Sequence, residues 1–354
     1  MSATLGISAD KPAEPIKNSY NINCIKVIDR DERGLPLSYP SALFYDALMD
    51  EVFVVCGGIR QLVIYTSDFY PLVSAGRGRG IDAVRSCSTS PDAILVCSKI
   101  ETGEPEAPRR DVVQILDRAL LPVDLVEFRG FSGAENFQPI RAQLRDRQLY
   151  VIGEGHDGVI VTDPSGEFVK KITPTLKVLG IAEKAFLRSF TFDHDGNLFL
   201  LSEELGKVFV FSPQGKLLYK FGEKGGTVGK LSRPRGIAIN RELELVFVVD
   251  YMRHAINVYS IKGDYLFELG GMGNARGWLH FPSDVCVDRL GRLWVADTFN
   301  QRLQIFVISR PTPDETPATI EIRTNPDQEL EDDKNPNQNF PTTNPGIEEN
   351  SLEE

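Results

Sequence analysis

A block of five mostly apolar residues recurs six times along this chain, and that recurrence leaves few folds open. Leu293-Trp294-Val295-Ala296-Asp297 is the sharpest copy, and Val246–Asp250, Leu198–Ser202 and Leu149–Gly153 resemble it closely. Ile94–Ser98 and Val52–Cys56 are fainter. Successive copies start 42, 55, 49, 48 and 47 residues apart. Before each block comes a short alternating run, clearest at Pro234–Asn240 and Pro282–Asp288. After it come a turn, a second alternation such as Ile256-Asn257-Val258-Tyr259, and a fourth run behind a glycine, as at Gly263–Gly270. Alternation at period two between Gly and Asp turns predicts short antiparallel strands. Four strands per 40–50 residues is the spacing of a propeller blade, so helix has almost no place here.

The chain ends support closure of a ring. The sixth copy runs out after its third strand at Ile308, and Pro311 and Pro313 follow. Asn23-Cys24-Ile25-Lys26-Val27-Ile28 alternates and can supply the missing fourth strand, which removes the open edge an unclosed array would present. The reading is an all-β, six-bladed β-propeller of four-stranded antiparallel blades over residues 20–310, closed by an N-terminal strand. Residues 1–19 are expected to be a flexible segment and 311–354 a disordered acidic tail. That tail carries twelve acids against Arg323 and Lys334 and has seven prolines. Such a composition cannot offset chain entropy by burial. It accounts for most of the net charge of −11, and leaves 37 basic and 38 acidic residues before it.

Pro-x-Gly-Ile-Ala-Ile at 234–239 with Val249-Asp250, Phe-Pro-Ser-Asp-Val at 281–285, and Val-Ala-Asp-Thr-Phe-Asn-Gln-Arg-Leu-Gln-Ile-Phe at 295–306 resemble NHL repeats. The resemblance is strong for residues 230–308 and weaker upstream. It implies that the Asp closing the second strand caps the following turn. Only Asp250 and Asp297 keep that residue, with Cys56, Ser98, Gly153 and Ser202 in the other copies.

Propellers bind ligands at the channel mouth, on the loops that lead into each first strand and join the second to the third; which ligand is not set by the fold. Arg85, Arg141, Arg188 and Arg235 all fall within about a residue of the start of a first strand, in four successive blades. Arg188 and Arg235 occupy equivalent positions. A collar of guanidinium forks suits carboxylates or phosphates, which points to an anionic ligand or acidic peptide. Tyr251 is a further candidate contact, and Trp294 is expected in the core. The insertion at 99–111 is expected to rise from the same face, where long loops carry specificity. Gly76-Arg77-Gly78-Arg79-Gly80 reads as a flexible loop there.

Metal chemistry is the alternative. The resemblance includes a metal-dependent lyase with histidines near the channel, which makes His156, His254 and His280 candidate zinc ligands. A calcium-dependent lactonase would need ligands from Ser41, Ser189, Ser283 and Asp284. His194 reads as a hairpin residue on the opposite face. No Gly-x-Ser-x-Gly occurs, and the five cysteines show no CxxC pair, which argues against a nucleophile elbow, a zinc ribbon and a disulfide framework. Some NHL propellers bind RNA through a broad basic surface with stacking aromatics; the near-neutral body and acidic tail argue against nucleic acid. No run approaches 18 apolar residues, so no membrane-spanning helix is expected. With no apolar export core in residues 1–20, a cytoplasmic location is expected. The function read from the sequence is therefore a non-enzymatic, protein- or peptide-binding scaffold with no cofactor. A metal-dependent lyase or lactonase-type hydrolase, using zinc or calcium, is the alternative.

Overall fold

The computed structural model describes residues 20–100, 109–178 and 181–311. Among them, six four-stranded antiparallel sheets follow one another in chain order, and each takes one copy of the repeated block as its second strand. Those strands are Glu51–Cys56, Ile94–Ile100, Gln148–Gly153, Leu198–Ser202, Leu245–Asp250 and Leu293–Asp297. Their near-continuous burial follows from position: each second strand lies inside its blade and is covered on both faces by neighbouring blades. Val54, Cys56, Trp294, Ala296, Leu303 and Ile305 form one such inter-blade cluster, between the first and last blades. Helix among the described residues is limited to single 3-10 turns at Arg77–Arg79, Ala134–Asn136 and Thr298–Asn300. The Arg-Gly run thus holds one ordered turn rather than a plain loop.

Closure is by the N-terminal strand. Asn21–Ile28 runs antiparallel to Arg302–Ser309, from Asn21 opposite Ser309 to Ile28 opposite Leu303, with a bulge between Cys24 and Lys26. The last blade therefore holds both ends of the ring. Trp294 is fully buried, and its indole N–H donates to Asp288 Oδ2 at 2.9 Å, so the one polar atom of this core residue is satisfied. A hairpin of Thr175–Val178 and Ile181–Lys184, between the third and fourth blades, has no counterpart in the blade pattern. Residues 1–19, residues 101–108 of the insertion and the tail from 312 lie outside the described residues. Among the described residues, no helix is long and apolar enough to cross a membrane.

Candidate functional site

Pairing with the second strand fixes which residues of the six first strands are equivalent. Ala42, Ser86, Arg141, Ser189, Gly236 and Asp284 each sit opposite the fourth residue of the repeated block. One residue earlier stand Ser41, Arg85, Ile140, Arg188, Arg235 and Ser283. Arg85, Arg188 and Arg235 are therefore equivalent, at the outer lip of the channel. Arg141 is not: it belongs one step deeper, in the third blade, across the ring from Asp284 in the sixth. Its Nη2 donates to Asp284 Oδ2, which also accepts the Leu43 backbone N–H at 3.0 Å. Asp284 is 1% exposed, and room for it exists because residue 236 is glycine. A Cβ there would meet Asp284 Oδ1 at 2.5 Å.

The four arginines line one cavity of about 300 Å³ together with Ser41, Ser283 and Asp284. Arg141 also lines a second cavity of about 510 Å³, shared with Leu43, Gln143, Phe190 and the turn residues Asp288–Arg289 of the opposite face. The Arg141–Asp284 pair is thus a floor between the two mouths of the channel.

Charge is unevenly matched around the lip. Arg85 is held by Asp111 at 3.1 Å and Glu154 at 2.5 Å. Among the described residues Arg188 pairs with Glu203 alone, at 3.8 Å, and Arg233 engages the same carboxylate at 3.1 Å. Arg235 has no carboxylate partner among the described residues. Its guanidinium lies over the Tyr251 ring, 3.6 Å from the centroid, and its buried Nε has no hydrogen-bond partner there. Burial first, and then the adjacent Arg235 charge, hold Arg188 below the ordinary guanidinium range, with Glu203 opposing. Arg188 thus shares Glu203 with Arg233, with Asp284 as a further opposing charge, while Arg235 beside it has no ion-pair partner among the described residues. Tyr251 supports Arg235 from below.

Asp250 and Asp297 set this geometry. Asp250 accepts the backbone N–H groups of Ser232 at 2.6 Å and Arg233 at 3.0 Å, and Asp297 accepts that of His280 at 2.6 Å. They tie down the segment that leads into their own blade's first strand, 17–18 residues upstream. Asp297 alone also reaches the following turn, through Asn300 at 2.9 Å and Arg302 at 2.7 Å. Asp297 thus keeps the capping role implied by the resemblance and adds an upstream tie, whereas Asp250 makes the upstream tie alone.

The sequence reading missed an aromatic ledge beside Arg235. Phe281 lies 4.8 Å from Tyr251, Phe299 5.0 Å from Phe281, and Tyr39 5.6 Å edge-on from Phe299. Tyr39 and Phe281 are equivalent residues, each one before a proline, and both hold left-handed backbone at φ 49 and 48. Bulky residues avoid that region. Repetition of Tyr-Pro and Phe-Pro ahead of two first strands was the available signal.

The metal candidates His156, His254, His280 and Asp284 do not converge on one point. His254 and His280 stack with ring centroids 5.5 Å apart, while His156 packs on Phe137 at 4.9 Å in the third blade. Asp284 is engaged by Arg141. No group of three or more His, Cys, Asp or Glu side chains able to hold an ion gathers among the described residues. His194 pairs with Asp195 in its hairpin at 3.2 Å. His254 instead holds backbone in place, since its Nδ1 accepts the Phe281 N–H at 2.9 Å. Burial, then His280, holds its pKa below 6.5, against Asp250 and Asp297. A base whose pKa is lowered by folding lends stability above its unfolded pKa, and that stability is lost as pH falls through the folded value. The melting temperature should therefore fall between about pH 7.5 and 5, and the fall should be shallower in His254→Gln, read by calorimetry. Equal slopes would remove His254 as the cause.

Comparison with known proteins agrees with this geometry. The NHL repeat family matches residues 279–306, the stretch that carries Asp297 and the ledge residues Phe281 and Phe299. The last blade thus carries an NHL repeat, in a chain that folds as a six-bladed β-propeller. A family described as a 6-bladed beta-propeller matches residues 190–270. E3 ubiquitin-protein ligase TRIM71 of Xenopus tropicalis is 32% identical over 214 residues, covering 55% of this chain and 25% of the ligase. Protein brain tumor of Drosophila melanogaster is 29% identical over 96 residues, covering 25% of this chain and 9% of that protein. The match thus spans a quarter or less of either relative. A solved structure from Bacteroides thetaiotaomicron, of unknown function, shares 13% identity and superposes with a TM-score of 0.59, covering 82% of this chain and 76% of that one. That likeness is one of fold alone.

Proposed function

We propose that this NHL-repeat propeller is a non-enzymatic scaffold that binds another protein, through an acidic segment of it, on the loop face around the channel. The observation that carries the reading is the Arg188–Arg235 pair: two guanidiniums on one cavity, with Glu203 shared away toward Arg233. A buried or half-buried cation without a partner is costly, and an arriving carboxylate relieves that cost with charge-assisted hydrogen bonds. One relative is named as an E3 ubiquitin-protein ligase, an activity directed at proteins, and a protein-binding part suits it. The near-neutral body and the acidic tail disfavour a polyanion such as nucleic acid as the ligand. A cytoplasmic location belongs to the same proposal, in keeping with five free cysteines, four of them buried.

Changing Arg188 and Arg235 together to Glu should abolish retention of the partner from native extract. The melting temperature should move by no more than about 3 °C, since both side chains lie at a lip and not in a core. Full retention by that folded variant would place the site elsewhere. Near-stoichiometric zinc or calcium in protein purified without chelator or affinity metal would instead favour the lyase or hydrolase alternative.

A further inference from the structure

We infer that the loop face reads two side chains of one extended peptide: a carboxylate at Arg188 and Arg235, and an aromatic or branched aliphatic group on the ledge of Phe299 and Tyr39. This rests on the binding role proposed above and adds the recognition pattern.

Three features carry the inference. The cavity is small, about 300 Å³, and the Arg141–Asp284 pair lines its inner end, so it suits a single side chain beside Arg188 and Arg235. A single carboxylate suits the site better than a dianion, because Glu203 stands beside Arg188 and already offsets part of its charge. A carboxylate meets the two guanidiniums with one charge.

The ledge begins where the carboxylate would sit. Tyr251 stacks under Arg235 at 3.6 Å and lies 6.4 Å from Phe299. Phe299 is therefore within about 10 Å of the guanidinium, which extended chain covers in two to three residues at ~3.3 Å each. Phe299 and Tyr39 are 44% and 43% exposed, although rings of this size are ordinarily covered. Their backbone makes the exposure more telling: Tyr39 keeps a left-handed conformation that a smaller residue would hold with less strain. A desolvated aromatic beside an arginine is the usual make-up of an interface hot spot.

The test is selection of random peptides, about 12 residues long, displayed on phage against the full chain; that length spans the site several times over. The expected consensus places Asp or Glu two or three positions from Phe, Trp, Leu or Ile. A synthetic peptide of that consensus should bind Arg188→Glu/Arg235→Glu at least tenfold more weakly. Tyr39→Ser/Phe299→Ser should lose a similar factor for that peptide, yet bind its acid-only derivative as the unmodified protein does. Both variants are checked by their melting curves. A consensus with the acid but no apolar partner, unaffected by Tyr39→Ser/Phe299→Ser, would overturn this inference and leave the arginine site standing. A consensus without the acid, or no enrichment beyond that on the arginine variant, would overturn both. Tighter binding of a single-stranded RNA of similar length than of the selected peptide, lost in the same variants, would assign the face to nucleic acid instead.

Discussion

Deletion of residues 20–30 should leave a chain that no longer melts in one cooperative transition near the temperature of the full protein. The closing strand buries Ile28 in the cluster that joins the first and last blades, and Ile22 and Cys24 pack against its neighbour. Its removal also bares the Arg302–Ser309 edge, along which Leu303, Ile305, Phe306 and Ile308 are buried. Covering one Ile contributes roughly 1.5–3 kcal/mol and each lost ladder hydrogen bond about 1 kcal/mol. The sum is on the order of 5 kcal/mol or more, comparable with the whole stability of an ordinary domain. Arg30 lies in the same stretch, and its carbonyl accepts the Tyr65 hydroxyl at 2.6 Å; the deletion leaves that buried tyrosine without its partner. A synthetic peptide of residues 20–30 added in trans should restore part of the transition. A deleted chain that melts within about 3 °C of the full protein would show that closure by this strand contributes little.

Strand identity and ring closure could be read from the sequence because both depend on local patterns. The first four residues of the repeated block are apolar and covered by the neighbouring blades, and the period of two before and after it is a local property. What stayed hidden depends on register between blades. Arg141 looks like a member of the collar by distance from its block, yet it stands two residues after Pro139, whereas Arg235 stands one after Pro234. Aligned on those prolines, the sequence already separates the two arginines; that single residue moves Arg141 from the lip to the floor. The ledge was harder to see. Tyr39, Tyr251, Phe281 and Phe299 come from the first, fifth and sixth blades, and only the closed ring makes neighbours of Tyr39 and Phe299. The signature residues Asp250 and Asp297 were visible, but only the downstream partners of Asp297 were foreseen, since the backbone groups that both residues hold lie 17–18 residues upstream on the chain.

Arg141→Met should destabilise the propeller by about 3–5 kcal/mol, although it removes a side chain from a solvent-lined channel. The cost arises on the other side of the ring, where Asp284 keeps its charge at 1% exposure and retains only the Leu43 N–H. Asp284→Asn should cost less, since Arg141 is 17% exposed and can turn toward water in the channel. The double variant Arg141→Met/Asp284→Asn should be more stable than the sum of the singles by at least about 2 kcal/mol, because neither change then strands a buried charge. Urea denaturation of the four proteins measures this coupling. Additive losses would mean that the two side chains act independently and that the channel floor is held by packing alone. The same double variant bears on the site above. With the floor opened, the two cavities become continuous, and a peptide held by Arg188 and Arg235 should lose affinity as water reaches their guanidiniums from below.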